Sequence, residues 1–175
     1  MLLKLKRTPG IYLTGFMGSG KSEVGRLLAH ELGWSFVDLD AEIEASEGVS
    51  IAEIFDTRGE EEFRKIERET LQRHVREIER GKPVVIAMGG GAYVPEATRH
   101  MLHDRGVAIW LDCPFERVCA RLKGSNHRPL ARDPERFRQL YHDRREAYGH
   151  ADYRIEADTD DPGSLVAAIL ALGIF

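Results

Sequence analysis

Gly15-Phe16-Met17-Gly18-Ser19-Gly20-Lys21-Ser22 follows the apolar stretch Ile11-Tyr12-Leu13-Thr14 and precedes Glu23-Val24-Gly25-Arg26-Leu27-Leu28-Ala29-His30-Glu31-Leu32. The segment fits G-x-x-x-x-G-K-[ST], and its flanks read as a buried strand and a helix, the setting in which that motif is a phosphate-binding loop. Glycines let successive backbone N–H groups curl around phosphate oxygens. The helix that follows adds the positive end of its dipole. In this pattern Gly18, Ser19 and Gly20 shape the cradle, Lys21 reaches the terminal phosphates and Ser22 offers a hydroxyl to Mg²⁺. The motif predicts binding of a nucleoside triphosphate.

Around that loop the chain has 175 residues, 42% hydrophobic and 31% charged, which suits one soluble domain with a single core over residues 1–175. No apolar run approaches membrane-spanning length. The opening Met1-Leu2-Leu3-Lys4-Leu5-Lys6-Arg7-Thr8-Pro9 is too short in apolar residues for a secretory signal and reads as a lead-in to the first strand. Cys113 and Cys119 form neither a disulfide framework nor a metal-ligand spacing, and their apolar surroundings suggest core thiols in a reducing cytoplasm. A net charge of −4 gives no electrostatic case for nucleic-acid binding.

Strand-like and helix-like patterns alternate to the end. Strands are expected at 34–38, 83–88, 107–111 and 153–157. Helices are expected at 41–47, from Ser50 with Glu53 completing a capping box, at 60–80, 95–104, from Pro114, at 134–148 and from near Pro162. Such alternation predicts an α/β fold, a parallel sheet flanked by helices on both faces through right-handed crossovers.

Ligands in such folds gather at the carboxyl ends of strands. The second strand ends in Asp38-Leu39-Asp40, read as two carboxylates on one side of an extended segment: one for Mg²⁺ opposite Ser22, the other for a substrate hydroxyl. Helix capping is compatible with both roles. The third strand ends in Gly89-Gly90-Gly91, more glycine than a turn needs, so bare backbone is expected to meet a ligand there. Eight basic residues lie between Arg121 and Arg145. Among them Arg128, within Gly124-Ser125-Asn126-His127-Arg128-Pro129, resembles a lid arginine closing over transferring phosphate. Arg64 by itself reads as a salt-bridged helix surface residue, and Phe55 and Phe63 as core aromatics.

Taken in order, Gly18-Ser19-Gly20-Lys21-Ser22, Asp38-Leu39-Asp40, Ser50-Ile51-Ala52-Glu53-Ile54-Phe55, Gly59-Glu60-Glu61-Glu62-Phe63-Arg64-Lys65-Ile66-Glu67, Gly89-Gly90-Gly91-Ala92 and Arg128-Pro129-Leu130 resemble shikimate kinase, a small family of the nucleoside-monophosphate-kinase-like group. The resemblance implies a three-layer sandwich whose five-stranded parallel sheet has the order 2-3-1-4-5, a lid at about 122–134 and a substrate-binding helical segment at about 40–70. It also implies transfer of the ATP γ-phosphoryl group to the 3-hydroxyl of shikimate, in a cytoplasmic monomer. By matching motif, Lys21 and the loop amides hold ATP, and Ser22 with Asp38 serves Mg²⁺. Asp40 meets the shikimate hydroxyls as candidate base, while Arg64 and Arg145 clamp the carboxylate, the pair Arg144-Arg145 leaving the register open by one. Gly89, Gly90 and Gly91 line the ring, Glu67 steadies the arginines, and Phe55 and Phe63 wall the pocket. Arg128 is the lid arginine and Arg121 lies against adenine.

Two places depart from the family pattern. Tyr93 stands where an aliphatic residue is usual, and Asp158-Thr159-Asp160-Asp161-Pro162 is acidic where relatives carry Arg or Lys, an arrangement expected to disfavour the nucleotide. Competing readings are another hydroxy-acid kinase such as gluconate kinase, a non-catalytic nucleotide-responsive module, or a domain of a motor or transport ATPase. The triple glycine and the Phe-Arg helix speak against the first. The joint presence of Lys21, Asp38, Asp40 and Arg128 speaks against the second, and the lack of partner-interaction segments against the third.

Overall fold

The structure, a computed structural model, describes residues 10–123 and 133–175. Five strands, β1 (Gly10–Thr14), β2 (Ser35–Asp38), β3 (Val84–Ala87), β4 (Val107–Asp112) and β5 (Tyr153–Glu156), form one sheet in the order β2-β3-β1-β4-β5. Every pairing is parallel, with Tyr12 opposite Ile86 on one side and Ala108 on the other. The apolar runs explain the order: β1, β3 and β4 are buried along their whole length, as central strands covered on both faces must be, whereas β2 and β5 are partly exposed edges.

Seven helices connect the strands among the described residues: α1 (Lys21–Leu32), α2 (Leu39–Glu47), α3 (Ile51–Glu79), α4 (Glu96–Leu102), α5 (Phe115–Leu122), α6 (Pro134–Tyr148) and α7 (Pro162–Leu170). None is long and apolar enough to cross a membrane. Local chemistry sets their ends. Gly33 takes the left-handed conformation and closes α1 by donating to Ala29 and His30. Ser50 accepts from the Glu53 amide to start α3, and Asp133 and Asp161 do the same for α6 and α7. Pro95 and Pro114 sit one position earlier than expected, at the caps of α4 and α5 rather than inside them, because their ψ angles remain extended.

The two helices expected either side of Gly59 are one continuous rod with a break: Gly59 has φ 85° and ψ 167°, and helical geometry resumes on both sides. The chain also turns helical sooner than expected after β2. Asp38 is the last extended residue and Asp40 already lies in the first turn of α2. The two carboxylates therefore do not share one side of a strand; they diverge.

The crossovers matter for function. The chain leaves β1 for β2, returns to β3, then passes to β4 on the other side of β1. The loop after β1 thus sits at the point where the winding reverses, with the ends of β3 and β4 on either flank, the place where such sheets bind ligands.

Candidate active site

Gly18 and Gly20 hold φ angles of 77° and 91°, which let the loop after β1 curl back over the start of α1. Lys21 donates from Nζ to the carbonyls of Gly15 at 2.8 Å and Phe16 at 2.9 Å, so its ammonium is held at the mouth of the loop. The Ser22 hydroxyl donates to Asp38 Oδ2, while Oδ1 accepts from the Ala41 amide at 3.1 Å. Asp38 both caps α2 and faces Ser22. A hydroxyl and a carboxylate are the hard oxygen donors that Mg²⁺ takes. The described residues include no group of three or more His, Cys, Asp or Glu able to hold a metal. An ion here would complete its shell with phosphate and water, as Mg²⁺ commonly does.

Across the loop, the glycines after β3 form the floor of a charged cradle. A Cβ on Gly89 would lie 2.6 Å from Asp40 Oδ1 and 3.2 Å from Glu67 Oε2. On Gly91 it would meet Arg64 Nη2 at 2.4 Å, and on Gly90 it would lie 3.2 Å from Arg144 Nη1 and 3.5 Å from the Met17 amide nitrogen. Three bare backbone positions therefore receive four charged heads and abut the phosphate loop. The glycine run is a packing requirement.

Arg64 donates to Glu67 Oε1 at 2.8 Å and stacks its guanidinium 5.2 Å from the Phe63 ring centroid. Phe63 and Phe55 face each other at 4.7 Å across the Gly59 break. Glu67 is only 4% exposed. Burial raises its carboxyl above the usual range, Asp40 pushes the same way, and Arg64 and Arg144 pull it back. Tyr148, almost fully buried, donates to the Gly90 carbonyl and fixes the middle of the turn.

Arg145 is not in this cradle. Its Nη1 and Nη2 donate to the two oxygens of Asp112 at 2.6 and 3.0 Å, and its guanidinium stacks on Trp110 at 4.8 Å. Arg154 shares the same carboxylate at 2.6 Å. One residue is about 100° of helix, which turns Arg144 toward the glycines and Arg145 toward the end of β4. Of the two arginines between which the register was left open, the structure places Arg144, not Arg145, over the glycine turn.

On the opposite flank, Arg121 donates to the Gly18 carbonyl at 2.7 Å and the Thr159 carbonyl at 2.7 Å. Arg117, one turn earlier on α5, pairs with Asp158 and Asp160, each at 2.9 Å. The acidic loop is thus matched by arginines. An open cavity of about 580 Å³ lies here, lined by Pro114, Arg117, Ala120, Arg121, Asp158 and Asp160. Tyr93 is a core residue, 4% exposed, whose hydroxyl is pushed up to about 12 by burial. Cys113 and Cys119 are free thiols. Arg128 lies outside the described residues.

Arg144 entered the sequence reading only as the open alternative to Arg145, Tyr148 and Arg117 did not enter it, and Asp160 entered only as part of the acidic loop. The first two belong to a helix whose register the residue types leave open. The other two had a signal in Arg117 and Arg121, one turn apart and opposite an acidic run.

A phosphate loop at the winding reversal of a parallel sheet, beside a cradle of guanidinium and carboxylate heads, defines a P-loop kinase acting on a small acidic molecule. The family model described as shikimate kinase matches residues 17–172. A shikimate kinase from Persephonella marina is 41% identical over 161 residues, covering 91% of this chain and 96% of that protein. The structure of a shikimate kinase from Acinetobacter baumannii in complex with shikimate superposes with a TM-score of 0.88 at 35% identity, covering 98% of this chain and 96% of that one. The chain belongs to the shikimate kinase family. A gluconokinase from Sinorhizobium meliloti, 18% identical over 94% of this chain and 91% of its own, with a TM-score of 0.58, shares the fold alone.

Proposed function

We propose that this chain transfers the γ-phosphoryl group of ATP to the 3-hydroxyl of shikimate, giving shikimate 3-phosphate and ADP, and that the two flanks of the phosphate loop divide the work. The observation that carries this reading is the abutment of the Gly90 position on the Met17 amide, with Asp40, Arg64 and Arg144 pressed on the same glycine turn.

Arg64 and Arg144 take the substrate carboxylate, for which planar guanidinium groups are suited by two-point geometry. Glu67 holds Arg64 in place, and Phe55 with Phe63 walls the ring. Asp40 accepts a hydrogen bond from the reacting hydroxyl and aims its oxygen at the γ-phosphorus. The new O–P bond forms as the bond to the β–γ bridging oxygen breaks, and ADP leaves with that electron pair. The hydroxyl proton passes to Asp40 or to the product phosphate. Because the transition state is loose, positioning and charge stabilisation matter more than deprotonation. Lys21 and the loop amides stabilise the developing negative charge. Ser22 and Asp38 would hold Mg²⁺, which neutralises phosphate charge when bound. Arg128 is assigned the lid role from its motif.

A coupled assay of ADP release tests the reading: turnover is expected with shikimate and none with gluconate, and the reverse would refute it. Arg64→Ala is expected to raise the shikimate KM at least about thirtyfold while ATP affinity holds. Collapse of ATP affinity with the acid's KM unchanged would remove Arg64 from the acid site.

A further inference from the structure

A guanidinium group has five N–H donors in one plane and two open faces. In Arg121 each of the five points at an acceptor. Nε reaches Asp160 Oδ1 at 3.3 Å, and Nη2 reaches both Asp160 Oδ1 at 3.1 Å and the Thr159 carbonyl at 2.7 Å. Nη1 reaches the Gly18 carbonyl at 2.7 Å and the Cys113 sulfur at 3.8 Å. The rim of the group is fully engaged, so what it offers a ligand is its flat face.

Asp160 holds two of those five directions, and it is itself held. Arg117 Nη1 lies 2.9 Å from the same Oδ1, and Arg117 Nε lies 2.9 Å from Asp158 Oδ1. The chain of contacts runs Asp158, Arg117, Asp160, Arg121, Gly18, from the loop after β5 through α5 to the phosphate loop. It borders the open cavity beside Arg117 and Arg121.

We propose that Asp160, seated by Arg117, is a positioning residue that ties down the rim of Arg121 and thereby makes it a stacking platform for the nucleotide base instead of a further phosphate ligand. The inference rests on the reading that Arg121 lies against the base. It reverses the expectation drawn from the acidic loop: the carboxylates serve nucleotide binding through the arginine they orient. A guanidinium free at its rim, this close to the phosphate loop, would turn its donors to phosphate oxygens, which it binds in two-point fashion. One whose rim is taken can still stack on an aromatic ring, where cation–π attraction and face-to-face contact operate. Asp160 thus decides how much of the affinity comes from the base and how much from the phosphates.

The experiment compares ADP with inorganic pyrophosphate, which carries the phosphates without the base, by calorimetry on the intact chain. The wild-type protein is expected to prefer ADP strongly. Asp160→Ala is expected to weaken ADP binding about fivefold, the size of one partly exposed charged contact, and to leave pyrophosphate binding equal or tighter, so that the ratio falls. Asp160→Asn, which keeps the acceptor oxygen, is expected to restore most of the ratio. Arg117→Ala is expected to move the ratio in the same direction as Asp160→Ala. The shikimate KM at saturating ATP is expected to hold in all of them, which separates a local effect from general damage.

Arg121→Ala distinguishes the proposal from the reading beneath it. If Arg121→Ala lowers the ADP preference and Asp160→Ala does not, the positioning role is refuted and the base contact stands. If neither alters the preference, the base contact itself is refuted. Equal losses of ADP and pyrophosphate binding in Asp160→Ala would also overturn the proposal, because they would mean that Asp160 supports the phosphate loop alone.

Discussion

Arg144→Ala and Arg145→Ala remove the same side chain from adjacent positions, and the surroundings predict different outcomes. Arg144 overlies Gly90 and stacks near Phe16 at 5.8 Å, so its loss is expected to raise the shikimate KM and leave thermal stability nearly unchanged. Arg145 engages Asp112, a buried carboxylate that Arg154 also holds. Removing Arg145 leaves Asp112 half-served, at a cost of about 2 kcal/mol and roughly 4–8 °C in Tm, with the shikimate KM unchanged. Thermal denaturation alongside steady-state kinetics separates the two. The residue alphabet alone does not: the doublet was visible, and only the helix phase of α6 says which arginine faces the glycines. Glu67 carries a second prediction. Folding raises its carboxyl pKa, so the folded chain holds that proton more tightly than the unfolded one. Its contribution to stability is therefore full below the unfolded pKa and declines as pH rises through the folded pKa. Glu67→Gln removes this decline. The Tm difference between variant and parent is expected to grow with rising pH across that window; a constant difference would contradict the assignment.

Elements were more legible than residues. Each strand and helix announced itself by an apolar run, a cap or a glycine, since those signals are local. What stayed hidden was the exact residue at which one state yields to the next. Asp38 and Asp40 show why this matters. Had the strand run on, both carboxylates would face one ligand; because α2 begins at Leu39, one turns to Ser22 and the other to Gly89. Gly59 shows the same point in a helix. Its conformation belongs to a region that is essentially confined to glycine, although a Cβ there would touch nothing. Gly59→Ala is accordingly expected to destabilise the fold by about 1–3 kcal/mol through backbone strain alone. The break also sets Phe55 against Phe63, so the variant is expected to raise the shikimate KM as well. Urea denaturation with kinetics checks both; a stable variant with normal kinetics would mean that α3 tolerates straightening.

At the scale of the whole molecule, the strand order β2-β3-β1-β4-β5 puts the acid cradle on the β3 side of the phosphate loop and the Arg117–Arg121 wall on the β4 side. The prediction from topology is independent entry: shikimate and ADP are each expected to raise Tm without the other, by linkage to the folded state. Arg144→Ala is expected to abolish the shikimate shift and spare the ADP shift. Sedimentation is expected to give a single species near the chain mass of 19.8 kDa. The parallel sheet with its flanking helices was readable from the alternation of elements, whereas the strand order came from the family resemblance. The pairing of Arg121 with Asp160 was the least readable, since it joins residues 39 positions apart whose charges looked like an obstacle.

The triple-glycine turn has a further consequence for how such a protein can change. The side chains that crowd it all arrive from α2, α3 and α6. Selectivity for a new acid could therefore be remodelled on those three helices while the turn and the opposite wall are left as they are. Any methyl group added to the turn itself would obstruct every version alike. Evolutionary freedom is concentrated in the visitors, and the meeting place is fixed.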